Sequence, residues 1–167
     1  MHWTMTALLV AAYASVELRE LFAKGSEPRE ALKALHFAFG LSVLALIWLR
    51  LALRLVGSYP RIEPEAPAWT KPLAKLTHAT LYALMIALPL LGWCALSAAG
   101  KPASYFSLDL PALLQTDKAL AKQIKNAHEA LAGMGAVLVG LHVLGACYHH
   151  YFRQDNALVR MLVRPRR

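Results

Sequence analysis

The sequence carries little charge, and two long stretches carry none. Only 17% of its 167 residues are Asp, Glu, Lys or Arg, whereas 57% are hydrophobic. Residues 76–100 and 130–152 lack all four of those residue types over 25 and 23 positions. An amphipathic soluble helix would instead repeat its apolar residues every three or four positions. The uncharged stretches therefore exclude an ordinary soluble domain and are typical of membrane spans.

Cysteines are few, and no basic stripe is present. Cys94 and Cys147 each lie in an apolar stretch, without metal-ligand spacing or a disulfide framework. We interpret both as small core residues. The formal net charge is +8, but no polar domain carries a basic surface, so we expect no nucleic-acid partner. The basic residues instead flank the apolar stretches, as they do at the ends of membrane helices.

Four apolar blocks predict an all-α integral membrane protein, a four-helix bundle in a single domain over residues 1–167. At a rise of about 1.5 Å per residue, ~20 residues cross the hydrocarbon layer. The two shorter blocks, 3–16 and 34–49, reach that length if neighbouring charged residues snorkel to the headgroups. The first block lacks the basic start and cleavage site of a signal peptide. We predict spans near residues 2–22, 31–55, 72–98 and 123–152.

The connections between the spans set the expected orientation. Ten of the 18 Lys and Arg residues lie on the side that holds the second connection and the C-terminus, which we call inner. Seven of the ten acidic residues lie on the opposite, outer side. The positive-inside rule then places both termini in the cytoplasm. We expect the long third connection, 99–122, to lie on the outer membrane surface, with a short interfacial helix.

All seven histidines fall within the predicted spans or at their ends. Polar side chains in a membrane helix are costly and usually functional. An imidazole there is a metal ligand, a proton carrier or a hydrogen-bonded packing residue. We predict haem ligands, with a haem-free, colourless proton pathway as an alternative. The seven are His2, His36, His78, His128, His142, His149 and His150.

The sharpest signal lies in the fourth span, where His128 and His142 are 14 residues apart. In an α-helix they would lie ~40° apart around the axis and ~21 Å apart along it. One imidazole then occupies each half of the bilayer, as two stacked bis-histidine haems between the helices require. Gly133, Gly135 and Gly140 would let flat macrocycles approach the backbone, or would pack helices closely.

Each haem needs a second axial ligand at a matching depth. His36 enters the second span from the outer side about as far as His128 enters the fourth, so they form the expected outer pair. Two partners remain open for His142. His2 begins the first span, and His78 lies about seven residues into the third, at a depth that slightly favours it.

The remaining histidines, His149 and His150, end the fourth span near water. They are either interfacial residues or contacts to a haem propionate or a quinone headgroup. A histidine that binds no iron, such as His78 in one of the two assignments, would be suited to the same task. All three lie on the inner side and could share one site.

At these residues the chain resembles the bacterial cytochrome b561 family, including its superoxide:quinone oxidoreductase type. The resemblance covers nearly the whole chain, and the matches in the fourth span are the most specific. The matching segments are His2-Trp3, His36 with Gly40 and Arg50…Arg54, His78 with 87–92, and then 128–132, 140–142, 149–152 and 155–156.

The resemblance implies two b-type haems in a bacterial inner membrane, with membrane lipid and a quinone, ubiquinone, as partners. By position, His2 and His142 would hold the inner haem iron, and His36 and His128 the outer one. His78 would then be left for a quinone or propionate contact. This assignment makes His2 the inner ligand, whereas depth alone slightly favoured His78.

Two functions are therefore expected. The first is electron transfer between a small donor outside, such as superoxide, and membrane quinone, as an oxidoreductase or a pure electron-transfer protein. The second is a haem-bearing membrane anchor that relays electrons from a docked dehydrogenase or hydrogenase. An anionic donor would be steered by four outer lysines, although the same lysines could simply solvate a surface. They are Lys101, Lys118, Lys122 and Lys125.

Overall fold

Four long helices make up most of the protein. The computed structural model describes residues 1–57, 63–64, 67–106 and 108–162. A 3-10 turn, Arg19–Leu21, continues the first long helix, and a short helix α5, Val159–Leu162, follows the last. The four-helix bundle predicted from the sequence is confirmed. Its helices are α1 (His2–Leu18), α2 (Glu27–Val56), α3 (Thr70–Ala98) and α4 (Lys118–Tyr151).

Three of these helices are long and apolar enough to cross a membrane, namely α2, α3 and α4 with 30, 29 and 34 residues. Helix α1 has 17 residues, a length of about 26 Å, and the 3-10 turn extends it towards the ~30 Å of a hydrocarbon layer. Large apolar side chains point outwards from the bundle, such as Trp48 at 57% and Val137 at 65% exposure. Such an apolar exterior suits contact with lipid.

Helices α2 and α4 begin before the predicted spans, because each has a polar first turn and α4 also has a side-chain cap. The Asp117 carboxylate accepts hydrogen bonds from the N–H groups of Ala119 and Leu120, at 2.8 and 3.0 Å. This is N-capping, and it starts α4 at Lys118 rather than near residue 123. Helix α2 starts at Glu27 with Pro28 in its first turn, a position where proline's missing N–H is tolerated.

The third connection holds a small antiparallel hairpin, β1 (Ala103–Tyr105) paired with β2 (Leu108–Leu110). The expectation of a short interfacial helix in this connection is therefore wrong. Gly100 takes a left-handed conformation, with φ of 66°, and Pro102 follows it, a combination that ends a helix. The hydroxyl of Tyr105 lies 3.1 Å from that of Ser42 and ties the hairpin to α2.

The helices pack in sequence order, α1 on α2, α2 on α3 and α3 on α4. The buried core of Met5, Val43 and Ile47 lies between α1 and α2, with side chains of α3 packed against it. Helix α4 approaches α1 where the Tyr13 hydroxyl donates to the carbonyl of Ala132, at 2.7 Å. The inner end of the bundle thus holds the start of α1, the end of α2, the start of α3 and the end of α4.

Candidate functional site

The structure brings His36 of α2 and His128 of α4 together at the outer end, with ring centroids 6.2 Å apart. Each ring contacts a backbone carbonyl through Nδ1, His36 at Ala12 and His128 at Leu88, both at 2.9 Å. A carbonyl oxygen only accepts hydrogen bonds, so each Nδ1 carries the hydrogen. The lone pair of each Nε2 is then available to a metal, and the carbonyls fix the ring orientation.

Two glycines flank this outer pair, and one of them leaves open space beside it. Gly40 follows His36 by one turn on the same face of α2, and a Cβ built there would meet no heavy atom within 4 Å. Gly92 of α3 lies against the other ring, where a Cβ would be 3.5 Å from Cε1 of His128. A flat group inserted between the two imidazoles could therefore approach the backbone of α2.

At the inner end three imidazoles converge from three helices. The rings of His2 and His142 have centroids 6.5 Å apart, and those of His78 and His142 are 5.3 Å apart. A metal–nitrogen bond of about 2.0–2.1 Å on each side of one iron puts two axial ring centroids roughly 6 Å apart. The His2–His142 spacing fits this geometry as the outer pair does, whereas His78 lies closer. The donor set therefore fits two bis-histidine haems.

Arg50 joins this inner cluster, and sequence reasoning missed it as a site residue. Its Nη2 lies 3.1 Å from Nδ1 of His2, and its Nε donates to the Tyr82 hydroxyl at 3.1 Å. The guanidinium of Arg54 lies over the Tyr82 ring, 5.4 Å from its centroid. Across the residues that the structure describes, no carboxylate forms a salt bridge with Arg50 or Arg54.

The contact with Arg50 gives His2 a different tautomer from the outer pair. A guanidinium only donates hydrogen bonds, so Nδ1 of His2 accepts and the hydrogen of the neutral ring lies on Nε2. A signal for this cluster was present in the sequence, because Arg50 is 14 residues from His36 and so shares its face of α2 to within ~40°. The spacing, however, did not indicate which helix that face of α2 would contact.

His149 and His150 lie at the inner end but in different surroundings. Nδ1 of His149 contacts the buried carboxylate of Asp155 at 2.5 Å. The ring of His150 packs edge-on against Tyr151, with centroids 4.9 Å apart. Burial opposes ionisation of Asp155, but hydrogen bonds from His149 and from the Ala157 N–H outweigh it, so the pKa of Asp155 lies below its ordinary value.

The glycines of α4 divide into two groups. Gly135 packs against α1 and α3, since a Cβ there would be 3.2 Å from the Tyr13 hydroxyl and 3.5 Å from Leu84. Gly133 and Gly140 are exposed and lie roughly 120–180° around the helix from His128 and His142. These two glycines face away from the histidines, so of the two roles left open for the three glycines, close helix packing is seen at Gly135.

The four outer lysines are all exposed. Lys118, Lys122 and Lys125 share one face of α4 at the spacing i, i+4, i+7, and Lys101 precedes the hairpin. Lys125 forms an ion pair with Glu129 one turn further along. Among the described residues the other three lysines form no salt bridge, and the exposed acids Asp109 and Asp117 lie near them in the chain.

Comparison with known proteins decides the family. The family model for prokaryotic cytochrome b561 matches residues 1–163. The chain belongs to this family. Cytochrome b561 homolog 1 of Escherichia coli strain K12 is 35% identical over 167 residues, which cover 100% of this chain and 94% of that protein. Probable superoxide oxidase CybB of Yersinia pestis is 34% identical over 165 residues, covering 99% and 93% of the two chains.

A further relative, cytochrome b561 homolog 2 of E. coli strain K12, is 32% identical over 129 residues, or 77% of this chain and 69% of that protein. The resemblance to the bacterial cytochrome b561 family is thereby confirmed. As a family member, this chain is a prokaryotic membrane protein, a b-type cytochrome that binds haem and takes part in electron transport. Among the described residues, the two histidine pairs have a donor chemistry and spacing that fit haem iron.

Proposed function

We propose that this cytochrome b561 holds two haems and transfers electrons between a small outer donor and membrane quinone. His36 and His128 are the axial ligands of the outer haem, and His2 and His142 those of the inner one. The observation that carries this proposal is the matched separation of the two ring pairs, 6.2 and 6.5 Å, at opposite ends of the bundle. Haem iron supplies the one-electron chemistry, and the protein supplies ligation, spacing and electrostatics.

The inner pair needs a rearrangement that the outer pair does not. Nε2 of His2 offers a lone pair to iron only when the ring's hydrogen lies on Nδ1. In that tautomer Nδ1 no longer accepts the hydrogen bond from Arg50. The guanidinium is then released to bind a carboxylate, and a haem propionate is the carboxylate that this site would supply.

The inner end also suits a quinone headgroup, whose carbonyl oxygens need hydrogen-bond donors. His78, which the proposal leaves without iron, lies beside His142. Tyr82 follows His78 by one turn on the same face of α3, and Arg54 lies over the Tyr82 ring. His149 is paired with Asp155, so His78 is better placed than His149 for a quinone or a propionate. His150 remains a candidate for the same contacts.

The outer donor is proposed to be a small anion, with superoxide the leading candidate. One relative, 34% identical, carries the description probable superoxide oxidase. A positive surface attracts anions and raises their association rate, and the exposed outer lysines would supply its positive charge. The distribution of Lys and Arg supports both termini in the cytoplasm of a bacterial inner membrane, which directs these lysines outwards.

The haem content of the purified protein tests the proposal. We expect a ratio of two haem b groups to one chain, from the pyridine haemochrome spectrum and the protein concentration. Superoxide from an enzymatic source should reduce them, and added ubiquinone should reoxidise them. A ratio of one, or a colourless protein, would contradict the proposal. The double variant His128→Ala with His142→Ala is the control and should bind neither haem.

Reversing charge on the outer lysines should slow reduction by superoxide. In the triple variant Lys101→Glu, Lys118→Glu and Lys122→Glu, we expect the second-order rate constant at low salt to fall about tenfold. The dependence of that rate on ionic strength should flatten. Stopped-flow absorbance at the reduced haem band measures both.

The matched control for this experiment is Lys75→Glu at the inner end, which should leave the rate with superoxide unchanged. Ubiquinone-linked reoxidation should be the same in the wild type and the triple variant, since the altered residues lie at the opposite end. An unchanged rate and salt dependence in the triple variant would rule out electrostatic steering.

A further inference from the structure

The residues after α4 fold back beneath the inner end of the bundle. We call residues 154–162 the C-terminal strap. Gln154 adopts a left-handed conformation, with φ of 51°, and reverses the chain as α4 ends. The N–H of Asp155 then donates to the carbonyl of His149 at 3.2 Å. The strap therefore starts in a defined direction from the last turn of α4.

A buried carboxylate anchors the strap to α4. Asp155 is only 3% exposed, and both of its oxygens are used. Oδ2 contacts Nδ1 of His149 at 2.5 Å, and Oδ1 accepts from the N–H of Ala157 at 3.0 Å. Buried charges are stable only when paired and hydrogen-bonded, so this contact fixes where the strap leaves the helix.

The far side of the strap meets two other parts of the chain. Asn156 exchanges two hydrogen bonds with Glu63 of the second connection, its N–H to the carbonyl and its Oδ1 from the N–H, both at 3.1 Å. The indole Nε1 of Trp3 donates to the carbonyl of Met161 at 3.0 Å. The strap thus joins the end of α4 to the first turn of α1.

That first turn carries His2, and the core holds its end, where Met5 is buried, rather than its beginning. Met1 at the N-cap makes no side-chain capping bond, and the first N–H groups of any helix lack partners within it. Helix ends with few tertiary contacts open more readily than the core. Arg50 touches the ring of His2, but the proposed haem binding releases that contact. The bond from Trp3 to the strap remains.

We infer that the C-terminal strap positions His2 for the inner haem, with Trp3 and Asp155 as positioning residues. This inference rests on the proposed function, in which His2 is an axial ligand. An axial ligand is useful only when its ring is held close to its bound orientation, a task that falls to the groups around it. Trp3 is the neighbour of His2 in the chain, so fixing its indole fixes the turn that carries the imidazole.

The test removes the indole hydrogen-bond donor and keeps the aromatic ring, in the variant Trp3→Phe. It is made in a His128→Ala background, in which only the inner haem is expected to remain. We expect haem transfer to an excess of apomyoglobin to become roughly fivefold faster, the effect of losing one hydrogen bond. The midpoint potential of the remaining haem should also shift.

The matched control is Trp93→Phe. The indole Nε1 of Trp93 donates to a backbone carbonyl at a similar distance, 3.1 Å to Pro111, but at the outer end. In the His128→Ala background this variant should release haem at the parent rate. Asp155→Asn, which removes the charge facing His149, should accelerate release as Trp3→Phe does.

The outcomes separate the strap from the ligand assignment. If His142→Ala leaves both haems bound, the proposed ligands are wrong. If His142→Ala removes one haem but Trp3→Phe and Trp93→Phe release the inner haem equally slowly, the strap inference is overturned. Hydrogen exchange in the full haem-loaded chain gives a second measurement. The amides of residues 5–8, whose hydrogen bonds to the carbonyls of residues 1–4 close the first turn of α1, should exchange faster in Trp3→Phe than in Trp93→Phe, and equal rates would overturn the inference.

Discussion

Replacing His142 with alanine should remove one haem and leave the other in place. The variant lacks the α4 ligand of the inner pair, whose rings lie 6.5 Å apart, and a single remaining imidazole binds haem iron much more weakly than two. The outer pair lies 14 residues away along α4, ~21 Å along the axis, so its geometry should survive. The ratio of haem to chain should fall from two to one, as measured by the pyridine haemochrome spectrum.

Two further variants identify the partner of His142. His2→Ala should also leave one haem, whereas His78→Ala should leave two, because the His78 ring lies too close to His142 for one iron between them. His150→Ala serves as the control and should leave both haems bound. If His78→Ala removed a haem and His2→Ala did not, the inner ligand would be His78 of α3 and not His2 of α1.

Replacing Arg50 with glutamine should lower the midpoint potential of the inner haem. A positive charge beside a haem favours the reduced form, which carries one positive charge less. Arg50 lies at the inner end beside His2, and in the proposal its guanidinium would pair with a haem propionate, so the glutamine variant would leave that negative charge uncompensated. Removing a positive charge close to the haem should lower its midpoint potential by on the order of 50–100 mV. A spectroelectrochemical titration of the two haems measures the change.

The controls for Arg50 separate charge from hydrogen bonding. Arg50→Lys keeps the charge but loses the planar guanidinium that reaches both His2 and Tyr82. The midpoint potential of its inner haem should therefore stay close to the wild-type value. Arg54→Gln removes a more exposed charge and should shift the potential less. The outer haem should titrate at its wild-type potential in all three variants. Equal potentials for Arg50→Gln and the wild type would show that Arg50 does not tune the inner haem.

The outer pair was predictable because depth along a membrane helix can be counted. His36 and His128 each lie a similar distance from the outer ends of their helices, and helices that cross one bilayer share its boundaries. Counting from those boundaries places the two rings at one level, and their centroids lie 6.2 Å apart. The register of α4 was equally accessible, since 14 residues return a helix to nearly the same face.

The inner cluster was not predictable in the same way. His2 and His78 both lie near the depth of His142, so counting residues left two partners open and slightly favoured His78. The resemblance to the family preferred His2, and the ring separations favour the same choice. Arg50 was assigned only to the headgroup level, because neither its hydrogen bond to Tyr82 nor its contact with His2 is visible without knowing how α1, α2 and α3 pack.

The third connection and the C-terminal strap show a similar limit. The predicted third span stopped at residue 98, as α3 does, but it gave no sign that residues 103–105 and 108–110 pair as a hairpin against Ser42. Apart from the family match at 155–156, the tail after residue 153 carried no motif, yet Asp155 is buried against His149 and the carbonyl of Met161 accepts the indole N–H of Trp3. Contacts between residues so far apart in the chain depend on the packed arrangement of the helices.

The sequence by itself determined that uncharged stretches form membrane helices and that His128 and His142 share one face of α4 at two depths. Both results follow from local rules, the cost of charge in hydrocarbon and the 3.6-residue period of a helix. Only the tertiary structure decided which imidazoles meet that face, and that Arg50 and the strap lie beside His2. Those contacts depend on how the helices rotate and pair, which is set by packing between distant segments.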